Sequence, residues 1–197
     1  MSGFLLDTNI PSEVIRTRPA PRVAEWVRKQ DNATLFLSAV SIGELRRGFT
    51  PLPPGERRAR LEEWFETDVV LWFADRVLPV TREIADRWGV LDGTCQLRGK
   101  PANTADGMTA ATALEHGLTV VTRNVRDFAE LGVAILKPWD SSMECFVVRV
   151  LALSVDYWRS ANAPVANRCA GYQPAPLVEY IYDRALLQLR SCEGNAE

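Results

Sequence analysis

Short apolar runs alternate with amphipathic stretches along the first 139 residues of the chain. The apolar runs are bounded by polar or turn-forming residues and are typical of buried strands, which we predict at residues 4–6, 35–37, 118–122 and 133–136. Apolar side chains at helical spacing predict helices near residues 23–29, 40–48, 61–65, 84–91 and 104–117, the last with Thr104 as its N-cap. Short apolar strands that alternate with helices predict an α/β fold with a parallel sheet covered on both faces.

Residues 140–197 have a different pattern. Two loop-like stretches, 161–164 and 172–176, lie between an apolar segment over 146–158 and a predicted helix over 177–190. No motif that carries chemistry occurs in this part of the sequence. We therefore predict one domain over residues 1–139 and a C-terminal extension over 140–197, and we expect the extension to be dispensable for chemistry.

The composition is that of an ordinary globular protein, with 47% hydrophobic and 24% charged residues in a chain of 197. A net charge of −2 argues against a polybasic protein, so any nucleic acid must be bound by a local site. The four cysteines form no CxxC pair and the chain has one histidine, which excludes zinc-finger spacing. No signal-peptide pattern is present, and no apolar run approaches the ~18–20 residues that span a bilayer. The sequence predicts a cytoplasmic protein without a membrane segment.

Acidic residues occur where the strands and helices of such a sheet would meet. Asp7 ends the first predicted strand, Asp106 lies in the first turn of a helix, and Glu44 lies inside another helix. Asn124 and Asp127 follow the third predicted strand. Ligands of open α/β sheets bind beyond the carboxyl ends of the strands, and converging carboxylates repel each other unless a cation compensates them. Oxygen ligands of this kind suit Mg²⁺ or Mn²⁺.

Each of these residues also has an ordinary structural interpretation. Asp7 is compatible with a turn that it caps, Asp106 with a favourable position in the helix dipole, and Glu44 with a solvated helix face. Asn124 and Asp127 are compatible with capping of the next turn. The functional interpretation therefore depends on the order of the residues and on the sequences around them.

Four segments resemble the signature segments of PIN domains. They are LLDTN at residues 5–9, LSAVSIGEL at 37–45, ADGMTAATA at 105–113 and VTRN at 121–124. More narrowly, they are similar to those of VapC/FitB-type ribonuclease toxins of type II toxin–antitoxin pairs. The Lys-Pro-Trp sequence at 137–139 resembles the end of that family's domain. The resemblance covers residues 1–139, and it implies a three-layer α/β/α sandwich.

The resemblance also implies roles for individual residues. Asp7, Glu44 and Asp106 match the three acidic positions of the family, with Asp7 and Asp106 as the principal Mg²⁺ ligands and Glu44 completing the pocket. The fourth position is often acidic in the family but is Asn124 here, and Asp127 is the alternative for that place. Polar positions that line such pockets are matched by Thr8, Asn9 and Ser38.

The activity implied by the resemblance is metal-dependent hydrolysis of RNA phosphodiester bonds that leaves 5′-phosphate and 3′-hydroxyl ends. The implied partners are an RNA substrate, a cognate antitoxin that obstructs the pocket, and a second copy of the chain. From the residues themselves, no Ser-His-Asp grouping and no pair of histidines is available, so an imidazole-based acid–base route is excluded.

Two rival interpretations remain open at this point. A haloacid dehalogenase-like phosphatase also begins with a strand that ends in Asp, but its chemistry needs a second Asp two residues later, where this chain has Asn9. A non-catalytic binding protein with a degenerate pocket is suggested only by Asn124.

Basic and aromatic residues near Glu44 also allow two interpretations. A cluster of five arginines either binds RNA phosphates or forms ion pairs on a solvated helix face with Glu56, Glu62 and Glu63. The aromatic residues Trp64, Trp72 and Trp88 are predicted in the core or at a dimer interface. The arginine cluster comprises Arg46, Arg47, Arg57, Arg58 and Arg60.

Overall fold

A computed structural model describes residues 3–140 of the chain and the backbone of residues 145–147. The strands of this part are β1 (Phe4–Leu6), β2 (Leu35–Ser38), β3 (Val77–Leu78), β4 (Thr119–Val121), β5 (Ala134–Leu136) and β6 (Cys145–Val147). The α-helices are α1 (Asn9–Val14), α2 (Pro21–Lys29), α3 (Ala39–Phe49), α4 (Glu56–Trp64), α5 (Arg82–Leu97), α6 (Thr104–His116) and α7 (Val125–Phe128). A π-helical turn, Phe65–Val70, continues α4, and a 3₁₀ turn, Ala74–Arg76, precedes β3.

The six strands form one sheet in the order β3-β2-β1-β4-β5-β6. The first five are parallel to one another, and β6 pairs antiparallel with β5. β1 is central: Phe4 is in register with Leu35 on one side and with Thr119 on the other. Because β1, β2 and β4 run in the same direction, the residues that follow them meet at the end of the sheet where the strands have their carboxyl ends.

Both faces of the sheet are buried, which gives the predicted three-layer α/β/α sandwich. Leu6, Val121 and Leu136 contribute to one core with the side chains of α1, α2, α3 and the π-helical turn. Their sequence neighbours Leu5 and Val120 point to the opposite face, where they join residues of α5, α6 and α7. Successive residues of a strand point to opposite faces, so an uninterrupted apolar run is what a doubly covered strand requires.

Four short elements were not predicted from the sequence. α1, α7, β3 and β6 have two to six residues each, too few to produce a periodic pattern. The predicted N-cap Thr104 is wrong: Asn103 caps α6, its side-chain oxygen accepting a hydrogen bond from the Ala105 N–H at 2.9 Å. β6 lies beyond the predicted domain boundary at Trp139 and nevertheless hydrogen-bonds to the sheet.

The position of α6 against α5 depends on one glycine. A Cβ atom at Gly107 would lie 2.9 Å from Cδ1 of Trp88, so the indole of α5 packs directly on the backbone of α6. Trp88 is partly buried there, and Trp72 is buried in the core next to Phe73, as predicted for these aromatics. Among the helices of the described residues, none is long and apolar enough to cross a membrane.

Candidate active site

Asp7 follows β1 at the centre of the sheet, and its carboxylate is held by four hydrogen bonds. Its backbone N–H donates to the Val121 carbonyl at 3.0 Å, which extends the pairing with β4 by one residue. Oδ1 accepts from the Thr8 N–H at 2.6 Å and from the Thr8 hydroxyl at 3.2 Å. Oδ2 accepts from the Asn9 amide and from the Thr122 hydroxyl, the latter at 2.5 Å. Asp7 is 7% exposed, so this buried carboxylate has a fixed orientation.

The Thr122 hydroxyl joins the ends of β1 and β4 to the start of α7. It donates to Asp7 and accepts from the Asn9 Nδ2 at 3.0 Å and from the Asn124 N–H at 2.9 Å. One donor and two acceptors are all that a hydroxyl has, so its hydrogen-bonding capacity is used completely. Thr122 is fully buried. It belongs to the VTRN segment, but the sequence did not identify it as a residue that positions Asp7.

Glu44 is carried by α3, which Ser38 caps at the end of β2. The Ser38 Oγ accepts from the Ser41 N–H at 3.0 Å, which gives Ser38 a structural role. Partial burial raises the pKa of the Glu44 carboxyl, the negative charge of Asp7 raises it further, and Arg47 opposes both. The carboxylates of Glu44 and Asp7 therefore repel each other at the carboxyl ends of the strands.

Asp106 lies in the first turn of α6 and has the most perturbed carboxyl of the site. Burial is the main cause, and the negative charges of Asp7, Asp127 and Glu44 add to it, so that the pKa of Asp106 rises to about 6. Four acidic side chains thus interact electrostatically at one end of the sheet. A carboxyl whose pKa is raised by burial and by neighbouring charges marks this end of the sheet as a candidate functional site.

Asn124 and Asp127 differ in their relation to this group. Asn124 is exposed and precedes α7; its backbone N–H is bonded to Thr122, and its side chain makes no capping hydrogen bond. Asp127 is also exposed, but its charge contributes to the raised pKa of Asp106. Of the two candidates for the fourth position, Asp127 is the one with an electrostatic link to Asp106.

The donor set suits a hard divalent cation with few protein ligands. Within residues 3–140, no three His, Cys, Asp or Glu side chains lie close enough together to form a metal-binding group by themselves. Mg²⁺ retains several waters and uses one or two carboxylates, so Asp7 and Asp106 are sufficient ligands in number and type. The mutual repulsion of the carboxylates is the observation that fits such an ion.

Part of the arginine cluster near Glu44 is engaged in structural contacts. The Arg46 guanidinium pairs with Glu66 and lies 4.2 Å from the centre of the Phe65 ring. Arg58 pairs with Glu62 at 2.8 Å, which is the ion pairing that the sequence offered as the alternative to RNA binding. These two arginines stabilise the α3–α4 region.

A second charged group, not identified from the sequence, surrounds Glu13 of α1. Glu13 of α1 is 5% exposed; its carboxylate accepts from the Ala20 N–H at 3.0 Å and pairs with Arg16. The Arg123 guanidinium lies 4.0 Å from the same carboxylate, and the Arg123 N–H donates to Asn9 Oδ1 at 3.1 Å. α1 is thereby tied to the loop after β4.

Comparison with known proteins relates this site to one family. The chain matches the PIN domain family over residues 4–134. It is 37% identical over 137 residues to the VapC ribonuclease Y4jK of Sinorhizobium fredii, covering 70% of this chain and 98% of that protein. It is also 37% identical to Toxin FitB of Neisseria gonorrhoeae, covering 69% of this chain and 98% of FitB.

The solved structures agree with the sequence comparison. The structure of FitAB bound to the IR36 DNA fragment has a chain that is 34% identical, with a TM-score of 0.66; the match covers 71% of this chain and 97% of that chain. Nearly the whole length of these relatives is thus matched, whereas a C-terminal part of this chain lies outside the matches. The fold, the order of the signature segments and these matches lead to one conclusion: the chain belongs to the PIN-domain family, in its VapC/FitB group.

Proposed function

We propose that the chain is a Mg²⁺-dependent endoribonuclease, the toxin of a type II toxin–antitoxin system. One observation carries the proposal: Asp106 lies partly buried beside the charges of Asp7, Asp127 and Glu44, and burial first and these charges second raise its pKa to about 6. Carboxylates that repel one another are compensated by a divalent ion, and such an ion recruits phosphate oxygens. Similarity to proteins named as a VapC ribonuclease and as Toxin FitB supports RNA as the substrate.

The side chains divide the chemical work as follows. Asp7 and Asp106 would hold the Mg²⁺ or Mn²⁺ ion, which when bound supplies Lewis-acid activation of a water and of the phosphodiester. Thr8, Asn9 and Thr122 keep the Asp7 carboxylate in one orientation through the hydrogen bonds given above. Glu44 would accept a proton from the attacking water, because burial and Asp7 make its carboxylate more basic than usual. Cleavage would leave 5′-phosphate and 3′-hydroxyl ends.

The phosphatase alternative is disfavoured by the position of Asn9. The Asn9 amide donates to Asp7 and Thr122, and its carbonyl oxygen accepts from the Arg123 N–H at 3.1 Å. An amide committed to these bonds supplies no acid for phosphoryl transfer. The alternative of a non-catalytic binding protein depends on Asn124, and the cleavage assay below separates it from the nuclease.

The same electrostatics suggest the protein partners. An antitoxin side chain with positive charge would be attracted to the carboxylates of Asp7, Glu44 and Asp106 and would occupy the place of the ion. The match to a chain of FitAB supports assembly with a partner of that kind. We also propose a homodimer and action in the cytoplasm, where an RNA-cleaving toxin would meet its substrate.

We expect the purified protein to cleave a mixed RNA pool in the presence of Mg²⁺ or Mn²⁺, and we expect EDTA to stop the reaction. Cleavage is measured on denaturing gels, with chemical mapping of the new ends. Asp7→Asn, purified in the same way, is the matched control, because a contaminating nuclease would persist in that preparation. RNA cleavage by Asp7→Asn equal to that of the wild type would refute the proposed site.

The proposed domain boundary is tested by truncation. We expect a chain that ends at Asp140 to retain metal-dependent cleavage, because the candidate ligands precede Trp139. Its free energy of unfolding should be lower than that of a chain ending at Val147, which keeps the pairing of β6 with β5. Chemical denaturation and the cleavage assay are applied to both chains. A folded but inactive Asp140 chain would show that the extension completes the site.

A further inference from the structure

A cavity of about 400 Å³ lies beside the candidate active site. It is bounded by the connection between α5 and α6 and by the segment from α7 to the start of β5. Asp106 and Asp127 line it, so it is continuous with the carboxylate group. Its volume falls in the range of about 300–1,000 Å³ that is usual for pockets that take small organic groups.

The lining of this cavity combines apolar and polar surface. Pro101, Ala102 and Leu131 supply apolar atoms against which a flat ring or a sugar can pack. Asn103 supplies an amide at the same cavity. Its oxygen already caps α6, so the NH₂ group is the part that remains to donate a hydrogen bond to a ligand.

The basic residues at the cavity differ in how far they are already neutralised. Lys100, which lines the cavity, pairs with Glu130 at 2.7 Å, and Arg98, which lies outside the lining, approaches the same carboxylate at 3.8 Å. Arg126, on α7, lines the cavity and is exposed, and it takes part in none of the ion pairs found among residues 3–140. Arg126 is therefore the cation that is available to a ligand anion, and a guanidinium is well suited to phosphate oxygens.

We propose that this cavity is a subsite for one nucleotide of the RNA strand, next to the scissile bond, and that Arg126 binds the phosphate of that nucleotide. The apolar surface accepts the base or the ribose, and Asp106 connects the subsite to the place of hydrolysis. The inference rests on the proposed ribonuclease function and assigns one part of its substrate contact. It makes Arg126 a substrate-binding residue with no part in holding the metal ion.

The test is steady-state cleavage of RNA by Arg126→Ala, Arg126→Lys and Arg82→Ala at several salt concentrations. Arg82 is the matched control, because it is an exposed arginine at the start of α5, far from the cavity. Cys95, near the other end of α5, lines the cavity, and at 1.5 Å per residue the helix separates the two residues by about 20 Å. We expect Arg126→Ala to raise KM by roughly 5- to 10-fold with kcat changed less than about 2-fold, because a contact made equally in the ground and transition states is lost. The slope of log affinity against log salt should fall by about one, and Arg126→Lys should restore most of both.

A second variant tests the cavity itself. Ala129 lines it and is partly buried, so Ala129→Leu fills part of the space. We expect a nucleoside 5′-monophosphate to inhibit the wild type and to inhibit Ala129→Leu at least about 5-fold more weakly. An unchanged KM in Arg126→Ala, or the same change in Arg82→Ala, overturns the subsite.

Failure of the proposed function would look different from failure of the subsite. A wild-type protein that binds RNA without cleaving it refutes the nuclease, and loss of that binding in Arg126→Ala still supports the subsite. A wild-type protein that cleaves RNA with kinetics unaffected by Arg126→Ala supports the nuclease and refutes the subsite. Binding of another protein at this cavity, with RNA kinetics unchanged, also refutes it.

Discussion

Asp106→Asn should make the metal-free protein more stable at neutral pH. It should reduce RNA cleavage by more than the about 10- to 100-fold that loss of an outer hydrogen bond costs, because it removes a proposed metal ligand itself. The pKa of Asp106 is about 6 in the folded protein, against 3.8 for an unperturbed side chain, so ionisation of this group opposes folding. The destabilisation is absent below pH ~4, grows as the pH rises through 6, and is fully present above that value. A shift of this size corresponds to at most about 3 kcal/mol, and solvent screening of a partly exposed group reduces the expected gain to about 1 kcal/mol.

Chemical denaturation at pH 7.5 and at pH 4 measures this effect, with Asp86→Asn as the control at an exposed acidic position of α5. We expect a higher free energy of unfolding for Asp106→Asn at pH 7.5, no gain at pH 4, and no difference for Asp86→Asn at either pH. Metal binding by the wild type should weaken below pH 6, because protons compete for the Asp106 carboxylate. A destabilised Asp106→Asn at pH 7.5 would contradict the electrostatic account.

Thr122→Val should destabilise the protein by about 2 kcal/mol and lower RNA cleavage by about 10- to 100-fold. Valine has nearly the same shape but cannot donate to Asp7 or accept from the Asn124 N–H and the Asn9 amide. Leaving buried donors without a partner is the source of the instability. Removing the outer hydrogen bond of a metal-binding carboxylate typically lowers affinity or activity by about 10- to 100-fold.

Thr122→Ser separates the hydroxyl from the methyl group. Serine keeps the hydrogen bonds and loses only a buried methyl, so we expect near-wild-type activity with a loss of stability of about 1 kcal/mol. Calorimetric titration of Mg²⁺ gives the readout that a merely structural role would leave unchanged: weaker binding in Thr122→Val and normal binding in Thr122→Ser. Equal Mg²⁺ affinity in both variants would show that Thr122 does not orient Asp7.

The longer elements of the fold were predictable because their patterns extend over enough residues. The segment from Ala105 to Thr122, for example, has a helix with a buried face, a glycine at the end of that helix and then a β-branched strand. α1 gave no such signal, because it has six residues with a proline among them and follows β1 after two residues. A helix is recognisable only when its pattern repeats, whereas three-residue strands such as β1 and β5 were recognisable as uninterrupted apolar runs.

The sequence identified the acidic residues of the candidate site but not the side chains that hydrogen-bond to them. Asp7 and Asp106 belong to recognisable segments, whereas the bond from Thr122 to Asp7 joins residues 115 positions apart. The buried Glu13 is another example, since nothing in its neighbours indicates that Arg123 approaches it across the end of the sheet. Such contacts are consequences of strand order, which brings β1 and β4 together. The electrostatic link between Asp127 and Asp106 likewise depends on the placement of α7, which the sequence did not predict.

The central position of β1 determines how the site behaves when the molecule opens locally. β1 is paired on both sides, and the Asp7 N–H continues the ladder to Val121, so the backbone that carries Asp7 belongs to the most protected part of the sheet. The edge elements β3 and β6 can separate first without disturbing it. In hydrogen-exchange terms, the amides of Leu5, Leu6 and Asp7 would exchange at rates set by global unfolding. The backbone that positions the Asp7 carboxylate would then keep its place as long as the domain remains folded at all.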